Sequence, residues 1–512
     1  MYFIKGFAFL AAILTAGFFT WRSLVDPRLH RWNDLRFAAV IPLAALGYLA
    51  PNIWIYYGAV TAAMIFLPRS RGDAGCLFTI IALMLPLVEH DVRTGSTLLI
   101  KMSTLIAAAV GLLMAFRFPA DPPRLQKALP RHDILAFAMF VLLVVIDTRI
   151  ATTSPTTVLR AFLTIGATFF LPYWFLGRSP LNGQDMRRLT HCIAMIGFIL
   201  ALVAIFETVR HWPLYQVMER NLDISGRAKS MNVRAGFLRS PGPFFESTTF
   251  GVFLALSTTV LISSRSLFRS KATYWGSVAT CVIGTSATLA RNAWIGLIVG
   301  MILITLYRGR SERFFALTVG GLFGVGILSL IASGSERVSE MIGLEGHAAS
   351  TGDYREDLLA NSIPLIMKNP LLGTPYDKVL EYMRPLMRSN TISVDYVNSY
   401  LYFAVTLGMV GLLIFTVYSV YTPLRLLMIR SRLKGSAREY EVATAVFAAS
   451  GAFLAMIGFT SYYERMPLFG VILMALGRQL ELWSKNRSML LDPRRTSPAP
   501  RAEDKLVETV AG

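Results

Sequence analysis

Arg355 stands where a helix would favour an acid. The run Ser350-Thr351-Gly352-Asp353-Tyr354-Arg355 leads into Leu358-Leu359-Ala360-Asn361-Ser362-Ile363-Pro364-Leu365-Ile366, then into Lys368-Asn369-Pro370-Leu371-Leu372-Gly373. Apolar residues at helical spacing predict an amphipathic helix on a membrane surface, ending at Asn369-Pro370. The helix macrodipole prefers negative charge in the first turn, so Arg355 is expected to point at something anionic; the competing reading is an ion pair with Asp353 or Glu356. Arg291 lies in Ser286-Ala287-Thr288-Leu289-Ala290-Arg291-Asn292-Ala293-Trp294, a short turn between two apolar runs, where an arginine either snorkels or faces a ligand. A guanidinium keeps its charge and grips phosphate oxygens through paired hydrogen bonds. Arg234 and Arg239 belong to a basic segment, Arg210 to Pro243, of net charge +4, and either solvate it or assist. Arg160 sits inside an apolar stretch, where charge is costly unless it faces the bundle interior or snorkels. Asp395 could orient or deprotonate a hydroxyl, or serve as a cap or ion-pair partner; Asn398 could bond a sugar or cap a helix. Tyr354, Tyr396 and Tyr400 could stack on sugars or anchor at the membrane boundary. Six scattered histidines, no His-Glu-x-x-His and no spaced acidic cluster give no support to a metal, and no cofactor is expected.

The elements that must hold these residues are membrane helices. Of 512 residues, 54% are hydrophobic and 16% charged, and the mean hydropathy is +0.52. The apolar residues come in blocks long enough for helices to cross about 30 Å of hydrocarbon. Strands of a barrel would be shorter and alternating. The reading is an all-α polytopic membrane protein of 13 to 15 crossings, near 3–20, 37–50, 52–67, 76–90, 98–116, 134–148, 157–176, 189–209, 246–263, 274–290, 292–307, 314–332, 397–421, 441–459 and 466–483. Pro51-Asn52 makes 37–67 either two short helices in a hairpin or one kinked span. The first apolar run looks like a signal peptide but is read as a retained helix.

The net charge of +19 does not indicate nucleic acid, because the basic residues are dispersed among short loops. Seven alternate loops carry 24 Lys and Arg, while the short loops of the opposite set hold only Arg93, Arg149, Arg291 and Arg465. The positive-inside rule makes the first set cytoplasmic. Two long loops then face outward: 210–245, basic, and 333–396, with net charge −3 and the amphipathic helix. They separate helical blocks at 1–209, 246–332 and 397–483, and a tail at 484–512 reads as disordered. Cys76, Cys192 and Cys281 all lie in apolar runs, against a structural disulfide.

An arginine before an amphipathic helix that ends in a Pro-Leu-x-Gly turn resembles the O-antigen ligase and polymerase family. That family has His, then Asn, Ser or Gln, nine residues, and Gly-x-x-Gly where the loop re-enters the membrane. Here Val397-Asn398, nine residues and Gly408-Met409-Val410-Gly411 keep the spacing and replace the His. The Ser286–Trp294 turn and Arg239-Ser240-Pro241-Gly242-Pro243-Phe244-Phe245 are similar to further family elements, in the same order and on the same membrane side.

The resemblance implies a metal-independent glycosyltransferase of the bacterial inner membrane, active at the periplasmic face in exopolysaccharide or O-antigen synthesis. Its donor would be a polyprenyl-diphosphate-linked glycan and its acceptor a growing glycan or lipid, with membrane lipids and other polysaccharide assembly proteins as partners. Arg291 and Arg355 would hold the diphosphate, with Asp395 on the acceptor and Arg234, Arg239, Asn398, Tyr396 and Arg160 binding substrate. The Val397 departure and the basic first loop favour a polymerase over a ligase. Gly408 and Gly411 read as close-packing positions between helices. A transporter or flippase is the alternative; the sequence lacks the repeated halves that class would show.

Overall fold

The computed structural model describes residues 2–32, 34–86, 91–94, 97–101, 111, 130–149, 154–178, 183–221, 233–234, 236–244, 246–310, 312, 316, 320, 350–386, 394–462 and 465–490. The protein is an all-α polytopic membrane protein. Among the described residues, five helices are long and apolar enough to cross a membrane: Phe3–Leu24, Pro155–Gly177, Asp185–Arg210, Ser399–Met428 and Ala437–Ile457. Most of the expected crossings at 314–332 and 98–116, the basic side chains Arg227 and Lys229, and the tail from 491 onward lie outside the described residues.

One local alternative is decided and two local expectations are corrected. Pro51-Asn52 divides its segment into two short helices, Val40–Leu49 and Ile53–Phe66, because the Asn52 side chain caps the second by accepting from Trp54 N. Residues 98–101, read as the start of a crossing, belong instead to a strand, Thr97–Lys101, paired antiparallel with Asp91–Thr94. Thr97 and Ile100 are β-branched, which favours extended backbone. The final helix runs from Met466 to Leu490, seven residues past the expected boundary at 483; Lys485 supports the extension through an i,i+4 pair with Glu481 at 2.9 Å.

The Ser247–Ser263 helix is the centre of the bundle. Almost all of its side chains are buried against the Gly183–Arg210, Lys271–Ala287, Arg291–Arg308 and Ala437–Ile457 helices. Its interior hydroxyls at Thr258, Thr259 and Ser263 donate to carbonyls one turn back, so no polar group is stranded. One end of the bundle is tied by ion pairs: Asp73 to Arg36 and Arg188, both at 2.6 Å, and Asp133 to Arg478 at 2.6 Å. Glu481 joins the same set, contacting His132 and Arg425, each at 3.0 Å. These contacts gather the loops that carry the surplus of Lys and Arg.

At the other end the long Ser399–Met428 helix is broken. Gly408 has φ 64° and ψ −163°, inverting the backbone between two helical halves. A break of this kind orphans carbonyls of the first half and amides of the second, groups that a bilayer cannot satisfy. The turn after the Ser350–Lys368 helix supplies their partners: Met409 N donates to Pro370 O at 2.8 Å, Val410 N to Leu371 O at 3.2 Å, and Thr374 N to Val405 O at 2.8 Å. Backbone meets backbone here. A Cβ on Gly408 would overlap the Leu371 carbonyl, and one on Gly373 (φ 67°) the backbone of Leu407 and Gly408. Gly408 is therefore a crossing point of turn and helix and not a helix–helix contact as expected, and the near neighbour of Gly411 is likewise not another helix but the Leu407 side chain of its own.

The Ser350–Lys368 helix is amphipathic as anticipated. Leu358 and Leu365 enter a second, smaller core with Val379, Met383, Val394, Tyr396, Leu401 and Val405. Leu359, Ile363 and Met367 face outward, and Leu371 and Leu372 continue that exposed stripe. The half-helix before Gly408 is a shared wall, giving Leu401 and Val405 to the small core and Phe403 and Leu407 to the large one.

Candidate arginine site

Three segments meet where the broken helix begins. The first is the basic segment, a short antiparallel pair, Val233–Arg234 with Phe237–Leu238, turning at Gly236. It is fixed to the bundle by Glu207, a fully buried carboxylate near the end of the Gly183–Arg210 helix. Glu207 accepts from Ser240 Oγ at 2.5 Å, Gly242 N at 3.1 Å and Leu214 N at 2.8 Å. An acid at that depth is tolerated because these donors replace water. Sequence reasoning missed Glu207; its signal was a carboxylate inside an otherwise apolar run.

The second segment is the turn after the Lys271–Ala287 helix. Leu289 adopts φ 48°, rare for a residue with a side chain, and three consecutive carbonyls are used by the basic segment and its support. Ala287 O accepts from Thr208 Oγ1 at 2.9 Å and Ser240 N at 3.3 Å, Thr288 O from Arg239 Nε at 3.4 Å, and Leu289 O from Arg234 Nη1 at 3.2 Å. The next helix opens on Arg291 with no side chain capping its amides. Its start thus adds partial positive charge to a full one. No hydrogen bond or ion pair among the described residues occupies the Arg291 guanidinium. Beside it, the buried Asn292 leaves its Nδ2 unbonded.

The third segment carries Arg355. Its Nη2 reaches Phe459 O at 3.4 Å and its guanidinium lies 5.8 Å from the centre of the Phe459 ring, while its Nε is buried without a partner. Asp395 lies close enough for its charge to favour the charged form of Arg355. Asp395 is held in turn by Ser461, whose Oγ is 2.7 Å from Asp395 Oδ1 and 2.6 Å from Tyr396 O, while Tyr354 donates to the Asp395 carbonyl at 3.0 Å.

The arginines feel one another. Burial, then the like charges of Arg234 and Arg355, push the Arg291 guanidinium down to about 10. Burial and Arg234 push Arg239 down to about 10 as well; Glu246 opposes this and Arg291 adds to it. Burial lowers Arg355 too, with Asp395 pulling the other way. All remain cationic at neutral pH. Arg234, Arg239, Arg291 and Arg355, from segments up to 121 residues apart, therefore form one electropositive cluster with Asp395 at its edge.

The remaining candidates fall elsewhere. Asn398 caps the Ser399–Met428 helix, accepting from Tyr400 N at 3.0 Å and Leu401 N at 3.2 Å, so its carbonyl oxygen is taken. The Tyr396 ring is only 3% exposed, with its hydroxyl 3.1 Å from Met383 Sδ, which leaves no open face for a sugar. Arg160 lies on the Pro155–Ile165 helix with its Nε buried and unbonded, and nothing among the described residues connects it to the cluster. Among the described residues no group of three His, Cys, Asp or Glu is placed to hold a metal ion.

No curated protein matches the chain. A family model described as O-antigen ligase matches residues 276–416, a stretch that includes Arg291, Arg355, Asp395 and the Gly408 break but not Arg234 or Arg239. That family implies a membrane enzyme of ligase or polymerase type acting on lipid-linked glycans. The helical architecture agrees with that family, which the chain resembles over residues 276–416.

Proposed function

We propose that the protein is a metal-independent glycosyltransferase that polymerises polyprenyl-diphosphate-linked oligosaccharide units at the periplasmic face of the bacterial inner membrane, in exopolysaccharide or O-antigen synthesis. The observation that carries this reading is the convergence of Arg234, Arg239 and Arg355 on Arg291, a cation with no protein partner among the described residues. Such an arrangement is unfavourable by itself and is relieved by a multiply charged anion. A diphosphate has that charge, and its lipid tail would keep it at the membrane boundary.

In the transfer step the acceptor hydroxyl oxygen bonds to the anomeric carbon of the donor. The bond from that carbon to the diphosphate oxygen breaks, and its electron pair leaves on the diphosphate. Arg291 and Arg355 neutralise the growing charge through fixed donors that need no rearrangement, with Arg234 and Arg239 reinforcing them. Asp395, aimed by Ser461, orients the acceptor and takes its proton. Because a diphosphate departs readily, positioning supplies much of the acceleration, and Val397 in place of a histidine is compatible with it. A ligase would use the same site with a different acceptor; the basic first loop, suited to a second anionic glycan carrier, favours the polymerase.

The test is purified protein in vesicles with a lipid-diphosphate-linked oligosaccharide and a chelator. Growing product and release of lipid diphosphate support the proposal, provided that Arg291→Ala and Arg355→Ala, at equal abundance, suppress both. Donor moved between leaflets with its glycan unchanged would make the protein a flippase instead.

A further inference from the structure

Arg149 ends the Arg131–Thr148 helix, and its side chain reaches two other parts of the chain. Its own N–H bonds back to Val145 O at 2.9 Å, capping the helix. The guanidinium then donates to three carbonyls across the joint: Nη1 to Leu372 O and, at 3.2 Å, to Thr406 O; Nη2 to Gly373 O at 3.0 Å. Thr406 O is one of the carbonyls orphaned when the helix breaks at Gly408, and Leu372 and Gly373 form the turn that leaves the Arg355-bearing helix. No carboxylate pairs with Arg149 among the described residues. Its charge is spent on the negative ends of two helical segments, a favourable place for a cation.

The helix that presents Arg149 is anchored at its far end. Asp133 is ion-paired to Arg478 and His132 contacts Glu481, so this end of the helix is tied to the Met466–Leu490 helix about 24 Å from Arg149 at 1.5 Å per residue. It is a strut, fixed at one end and forked at the other. The remaining bonds across the joint run backbone to backbone between the turn and the broken helix; Arg149 links both to a third element.

The geometry points to Arg149 as a positioning residue: its fork fixes the angle between the segment bearing Arg355 and the bundle, and hence the reach of Arg355 toward Arg291. This rests on the transferase reading only for its consequence, since the joint itself can be measured without activity.

The experiment uses the full chain in nanodiscs with nitroxides on Asp357→Cys, beside Arg355, and Val209→Cys, at the exposed end of the Gly183–Arg210 helix. The native Cys76, Cys192 and Cys281 are buried. One narrow distance is expected with Arg149 present, and a broadened or shifted one in Arg149→Ala. Arg149→Lys, which keeps the charge without the planar fork, is expected to broaden it as well and serves if the alanine variant does not accumulate. Arg308→Ala, which removes an arginine–carbonyl bond to Ser263 at the opposite end, should leave the distance unchanged. A wild-type distribution in the Arg149 variants overturns the proposal. Sugar transfer is expected to fall about ten- to a hundredfold, the range for a displacement near 1 Å at a reacting centre. Broadened distances with full transfer would leave the joint standing and overturn the arginine site instead.

Discussion

Arg291→Gln removes the guanidinium on which the charges of Arg234 and Arg355 converge, and the variant is expected to be harder to unfold while losing sugar transfer. In a dry site the burial and like-charge crowding that together push Arg291 down to about 10 would cost several kcal/mol, at about 1.4 kcal/mol per factor of ten. Arg291 is only half-buried, so solvent screening reduces the relief on its removal to about 1 kcal/mol. In a chain of 512 residues that is a rise of about 2 °C or less in the apparent melting temperature. Loss of one preorganised donor to a developing oxyanion lowers transfer by about a hundredfold or more. The assay pairs a thermal melt in nanodiscs, with and without inorganic pyrophosphate, with the initial rate of donor consumption. Pyrophosphate should raise the wild-type midpoint and leave the variant nearly unmoved. The same reasoning fixes a pH dependence. Above about 10 the folded protein releases protons from Arg239 and Arg291 that an unfolded chain still holds, so repulsion fades and the ligand-free protein gains stability as pH rises through that window. Pyrophosphate stabilisation should be lost over the same range. A variant that melts lower than wild type and transfers normally would show Arg291 to be a structural contact and refute the reasoning.

Gly408→Ala places a methyl group against the Leu371 carbonyl at a positive φ; a loss of about 3 kcal/mol is expected, read as reduced abundance and a lower melting temperature. Glu207→Gln removes one of two acceptor oxygens shared among Ser240, Gly242 and Leu214, costing about 1–3 kcal/mol. It should also make the 233–244 segment more accessible to protease, which a melt alone would not show. Asp395→Asn keeps the bond to Ser461 but cannot take the acceptor's proton; a fall in transfer of about a hundredfold or more, without a change in donor KM, is expected.

The parts of this architecture that were legible in the sequence were those that violate a local preference. Arg355 in the first part of a helix and Arg291 between two apolar runs drew attention because lipid and helix dipole both disfavour them there. That the two share one field with Arg234 and Arg239 follows from tertiary packing, which no spacing encodes. The break at Gly408 was hidden because apolar residues continue on both sides, and only the Pro370–Gly373 turn supplies the bonds that make it possible. Tyr396 was misjudged because a loop of this length builds a core of its own, and an aromatic residue has more to gain there than at the boundary. Arg149 counted only toward loop charge, since its partners are carbonyls more than 200 residues away.

The two glycine crossings also determine where homologous chains could be recombined. Backbone passes over backbone at Gly373 and Gly408 with no space for a methyl group, so an insertion between Asn369 and Thr374, or between Val405 and Val410, would put the wrong residues in register. The described residues from Tyr376 to Leu386 meet the rest mainly through the small apolar core, which tolerates changes of side chain if volume is kept. That stretch is therefore a natural cassette: exchanged between relatives with both crossings retained, it would carry new surface chemistry while the membrane portion stays in place.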